Sequence, residues 1–92
     1  MSLEQLRAEI DAVDRELIRL LESRMDVSAR IAEHKRTAGK PVLDAAREKE
    51  KLSAVREMCR PETADGIEDV FRAVLAASRG YQTRLMEEKT DG

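Results

Sequence analysis

A long helical pattern near the amino-terminal end constrains this chain more than any other feature. Leu3, Leu6, Ile10, Val13, Leu17, Leu20, Arg24, Val27, Ile31 and His34 are spaced alternately three and four residues apart. That spacing draws one stripe along an α-helix of 3.6 residues per turn. Eight of the ten positions are apolar, so Arg24 stands where a packing residue belongs. A guanidinium on a buried seam cannot shed its charge and needs an anionic partner there. No acid of this helix shares the stripe. The missing anion is an acid from another helix, or it is a ligand.

Helix boundaries follow from the residues between the apolar runs. Ser2 with Gln5 is a capping-box pattern, which starts the first helix near Leu3. No Gly or Pro interrupts it before Ala38-Gly39-Lys40-Pro41, a stop signal. Asp44 suits the N-cap of a second helix from Ala45 to Cys59, ahead of Pro61. Asp65 with Glu68 is a further capping box, and the third helix is placed at 64–88, starting from Thr63 or Asp65. The tail from Glu87 to Gly92 is polar and reads as a frayed end or a cut linker. No run alternates as a strand does, so the sequence predicts an all-α domain over 1–92 with helices at about 3–38, 45–59 and 64–88.

A first helix of that size is roughly 50 Å long, whereas a compact chain of this length has a radius of gyration of only about 12 Å. Two shorter helices cannot cover so long a seam. A second copy of the chain is the simplest cover, which predicts an intertwined or antiparallel homodimer.

Composition excludes several classes. Charged residues make up 39% of the chain, but they alternate in sign and the formal net charge is −2. That is no electrostatic footprint for nucleic acid or a membrane surface. The single Cys59 excludes an intrachain disulfide, and one Cys with one His excludes the usual zinc frameworks, so no metal is expected. No apolar run approaches a transmembrane span and no signal-peptide pattern opens the chain, so a cytoplasmic setting is expected.

Polar residues stand on the inner stripes of all three helices. Glu48 lies among Ala45, Leu52, Val55 and Cys59, and Ser78 and Gln82 lie one turn apart among Val74, Leu75, Tyr81 and Leu85. Lys35 follows Arg24 by eleven residues. That is three turns, or about 16 Å, and long side chains span such a gap to meet at a small molecule. Taken singly, each has a plainer explanation. Arg24 with Glu48 makes an ordinary buried ion pair, Ser78 bonds back to the Val74 carbonyl, His34 is a helix-end residue and Cys59 a packing residue. As a set on three helices they read as a polar pocket for a small, multiply charged ligand. Arg7 lies about 25 Å up the helix from Arg24 and is rotated by about 100°. It joins such a pocket only from a second chain.

These residues resemble the all-helical chorismate mutases of bacteria over nearly the whole chain. The resemblance rests on Leu6-Arg7 with Ile10 and Asp14, Leu20-Leu21 with Arg24, Lys35, Pro41-Val42 with Asp44 and Arg47-Glu48, then Phe71 with Ser78 and Gln82. It implies an intertwined homodimer of three-helix chains with two identical sites, no metal and no cofactor. The implied reaction is the Claisen rearrangement of chorismate to prephenate, on the route to phenylalanine and tyrosine.

By position, the resemblance makes Arg24 a ligand of a substrate carboxylate, with Lys35 and Gln82 donating to the ether oxygen. Ser78 helps to hold the ring carboxylate, Glu48 accepts from the ring hydroxyl, and Asp44 and Arg47 stand at the pocket wall. Arg7 reaches the ring carboxylate from the partner chain. The chain departs from the family pattern at Arg79-Gly80, where bulkier apolar residues are common, and at Ala45-Ala46 beside Asp44. Competing readings are an isochorismate pyruvate-lyase on the same scaffold, a catalytically weak mutase-like regulatory or partner-binding domain, and a plain helical dimerisation module. The last explains the seam but not Glu48, Ser78 and Gln82.

Overall fold

The computed structural model describes the backbone of residues 1–91 and the side chains of residues 1–89. Three helices follow one another: α1 (Leu3–Ala38), α2 (Ala45–Met58) and α3 (Pro61–Asp91). No strand occurs among the described residues.

Both ends of α1 form as the residues at them require. Ser2 Oγ accepts from the Gln5 amide at 3.1 Å while Gln5 Oε1 accepts from the Ser2 amide at 2.8 Å, closing the capping box. At the other end Gly39 takes a left-handed φ of 68°, and Lys40 N–H then reaches the Lys35 carbonyl at 2.8 Å. A residue without Cβ makes that turn at no steric cost. Asp44 caps α2 by accepting from the Arg47 amide at 3.0 Å.

The third helix corrects the sequence reading. It starts at Pro61, three residues before the expected boundary at 64, and continues to Asp91 rather than stopping near 88. Proline at the first helical position lacks only an N–H that has no partner there anyway. Asp65 and Glu68 are therefore inside the helix, and they face Arg56 of α2 at 3.0 and 3.5 Å instead of capping. The second helix stops at Met58, with Cys59 as its C-cap. Of the tail, Gly92 lies outside the described residues.

The third helix is the centre of the chain, packing on both α1 and α2, while α1 and α2 make no such contact. Ties from Arg56 to Asp65 and from Glu48 to Arg79 run in opposite order along α2 and α3, so these two are antiparallel. Ser28 meets Ser78 and Glu33 meets Lys89, so α1 and α3 run parallel. Glu33 is also bound by Arg36 at 2.7 Å. That hydrogen bond is the main cause that holds its carboxyl at about 2, below the ordinary 4.5; desolvation opposes it, and the charges of Arg36 and Lys89 add to it. The stabilisation is complete above the ordinary value and is lost as pH falls towards 2.

What the fold buries is small, and what it exposes is large. Ala32, Val55, Ala64 and Leu75 are the buried apolar residues, and Ser28, Ser78 and Gln82 are buried with them. Along α1, every residue up to Leu20 is exposed, including Ile10 at 61% and Val13 at 65%. Ile67 and Val70 of α3 are exposed as well. The chain measures 55 × 28 × 14 Å with a radius of gyration of 16.5 Å, against about 12 Å for a compact globule of this length. Its amino-terminal helical half carries an apolar stripe with no cover among the described residues.

Candidate active site

The three helices border an open-sided cavity of about 330 Å³. The first helix lines it with Arg24, Val27, Ser28, Ile31 and Lys35, the link and α2 with Val42, Asp44, Arg47, Glu48 and Lys51, and α3 with Leu75, Ser78, Arg79 and Gln82. Seven of the eight residues singled out from sequence therefore border one space: Arg24, Lys35, Asp44, Arg47, Glu48, Ser78 and Gln82. Arg7 does not; it is exposed on the uncovered half of α1.

Helical spacing explains the convergence on α1. Val27 and Ser28 follow Arg24 by three and four residues, Ile31 follows them by four and three, and Lys35 follows Ile31 by four, so one face presents both apolar and polar groups. Lys35 is half-buried, and its Nζ donates to the Val42 carbonyl at 2.6 Å. An ammonium has three N–H bonds, so the link carbonyl anchors it and two donors remain. Arg24 is also half-buried and has no carboxylate partner among the described residues. The ion pair with Glu48 that sequence left open does not form. Glu48 is instead paired across the α2–α3 interface with Arg79, the residue noted only as a departure from the family pattern.

Ser78 also differs from its plain reading. Its Oγ lies 2.6 Å from Ser28 Oγ across the α1–α3 interface, and Gln82 Nε2 donates to Ser28 Oγ at 2.8 Å. Ser28 was missed from sequence, although it stands one turn after Arg24 on the same face. Lys51, one turn after Glu48, has the character of a solvated surface cation in the sequence, yet it is half-buried and borders the cavity. Arg47 turns its guanidinium to Glu50 at 2.9 Å on the exposed side, and Asp44 spends one oxygen on its cap.

The chemistry available is electrostatic. Five cations and two carboxylates line the cavity; Arg47 and Arg79 have acidic partners, whereas Arg24, Lys35 and Lys51 have none among the described residues. No His or Cys borders it, and its two serines meet each other and the Gln82 amide rather than a base, so no serine is held as an activated nucleophile. Among the described residues, no three His, Cys, Asp or Glu side chains gather as metal ligands. Nor is any helix of the described residues long and apolar enough to cross a membrane.

The fold is thus a three-helix chain whose cavity wall carries more cations than carboxylates. Residues 6–83 match the family model of chorismate mutase type II. The chain is 28% identical over 89 residues to a chorismate mutase of Methanocaldococcus jannaschii, covering 94% of this chain and 89% of that protein. It is 37% identical over 86 residues to the T-protein of Haemophilus influenzae, covering 91% of this chain but 23% of that longer protein. No solved structure gives a significant match. The chain belongs to the type II chorismate mutase family, and it is an isomerase of that class.

Proposed function

We propose that this chain rearranges chorismate to prephenate in a cavity completed by a second copy of itself. The observation that carries the reading is the cavity wall, where Arg24, Lys35 and Gln82 border one space without a nucleophile–base pair. A pericyclic rearrangement needs none: one C–O bond breaks as one C–C bond forms within the same molecule, and negative charge gathers on the ether oxygen. Lys35 and Gln82 donate to that oxygen, and donors preorganised in this way stabilise charge as it develops. Arg24 binds one substrate carboxylate in the forked geometry of a guanidinium and so restrains the flexible side chain in its folded, reactive form.

The remaining residues hold the ring. Ser78 and the partner's arginine at position 7 bind the ring carboxylate. Glu48 accepts from the ring hydroxyl, with Arg79 fixing its carboxylate. Asp44 and Arg47 close the wall. The dimer follows from the apolar stripe of α1: Leu3, Leu6, Ile10, Val13, Leu17 and Leu20 are all exposed in one chain. Burying such side chains is worth about 1.5–3 kcal/mol each. The same helical half carries Arg7, so covering the stripe brings Arg7 to the partner.

Incubation with chorismate is expected to consume it and yield prephenate. Pyruvate in its place would assign the scaffold to a lyase, and no consumption would remove the catalytic reading. Sedimentation at low micromolar protein is expected to show one dimeric species, whereas a folded helical monomer would contradict the uncovered-stripe argument.

A further inference from the structure

Ser28 is 2% exposed and Gln82 6%, so these side chains meet away from water between α1 and α3. Gln82 Nε2 donates to Ser28 Oγ at 2.8 Å and lies 3.4 Å from Ser78 Oγ. The other end of the amide, Oε1, is buried and accepts from nothing among the described residues. An orphaned buried carbonyl is costly and calls for an explanation. Packing does not explain the serine beside it. One turn further along α1, Ala32 sits at the same depth with 2% exposure, so the contact needs a small residue there and not a hydroxyl.

A hydroxyl both donates and accepts, whereas each end of an amide does only one of these. Ser28 therefore serves Gln82 in either sense. It accepts from the N–H as it stands, and with the amide turned over it gives its proton to the carbonyl. Turned over, the orphaned carbonyl is matched, Ser78 supports Ser28 from 2.6 Å, and both N–H bonds are released. An amide in that sense lacks only an acceptor oxygen.

We propose that Ser28 is a positioning residue whose hydroxyl holds the Gln82 amide by its carbonyl and so presents the N–H groups to the acceptor oxygen of the bound substrate. This rests on the reading of Gln82 given above. With Gln82 in place, Ser28→Ala is expected to lower kcat by about threefold to tenfold, the scale of one buried hydrogen bond, with KM nearly unchanged. Alanine favours the helix, and circular dichroism is expected to show it intact.

The decisive readout is a pH profile. Gln82→Glu puts a carboxylate against the developing negative charge. Only its protonated form donates, so activity returns as pH falls. Ser28 donating to that carboxylate favours its charged form and keeps the midpoint of recovery low. Adding Ser28→Ala is expected to raise the midpoint by about half to one pH unit. Arg24 and Lys35 on α1, Arg47, Glu48 and Lys51 on α2 and Arg79 on α3 are common to both variants and do not shift one against the other. A midpoint unmoved by Ser28→Ala would overturn the positioning role and leave Gln82 in the mechanism. A Gln82→Glu variant equally active at about pH 5 and pH 8 would remove Gln82 from the mechanism, and Ser28 with it.

Discussion

Lys35→Ala is expected to lower kcat by at least about a hundredfold while the chain keeps its helices. The amine is anchored by the Val42 carbonyl at 2.6 Å, so it stands at the cavity wall before any substrate arrives. In the proposed reaction its remaining N–H bonds meet an ether oxygen that is nearly neutral in the ground state and negative in the transition state. An interaction that strengthens in this way appears in kcat rather than in KM. The anchor itself is one half-buried contact, so circular dichroism is expected to report the same helical content as the parent. Kinetics like those of the parent protein would take Lys35 out of the mechanism.

Arg7→Ala is expected to lower kcat/KM by roughly thirtyfold or more, the scale of removing one partner from a buried charge pair. The size of the effect is informative because of where Arg7 lies. It is exposed and is not among the residues around its own chain's cavity, and it stands about 25 Å along α1 from Arg24. A chain that worked alone would lose almost nothing on its removal. Replacing Arg15, equally exposed on the same helix, offers a comparison for nonspecific loss of positive charge.

Much of this arrangement was legible in the sequence, because helical geometry is local. The capping box at Ser2, the stop at Gly39 and the cap at Asp44 depend on residues within a few positions of each other. The stripe through Leu3 to Leu20 is likewise written in its spacing, and the length of the helix it runs along anticipates the exposure observed there. The start of α3 was misread because Asp65 and Glu68 form a capping pattern locally, while Arg56 competes for both from another helix. Which acid meets which base across helices is not written in spacing. Glu48 was assigned Arg24 as an open alternative and pairs with Arg79. Ser28 was passed over for a related reason. A small polar residue on a helix looks like surface until a second helix places Ser78 and Gln82 against it.

The central claim is that each site is built from two chains, and mixing two inactive variants tests it most directly. Arg7→Ala and Lys35→Ala carry lesions on the same helix but, in the shared-site arrangement, in different sites of a mixed dimer. One site of that dimer receives both lesions. The other takes Lys35 from the Arg7→Ala chain and Arg7 from the Lys35→Ala chain, and is whole. Random reassortment of equal amounts makes about half the dimers mixed, so about a quarter of all sites are expected to regain activity. The two proteins are unfolded together, refolded, and assayed for prephenate formation, with mixed dimers identified by mass. Recovery near a quarter of the parent activity is the expected result. Mixed dimers that form and remain inactive would contradict the shared site.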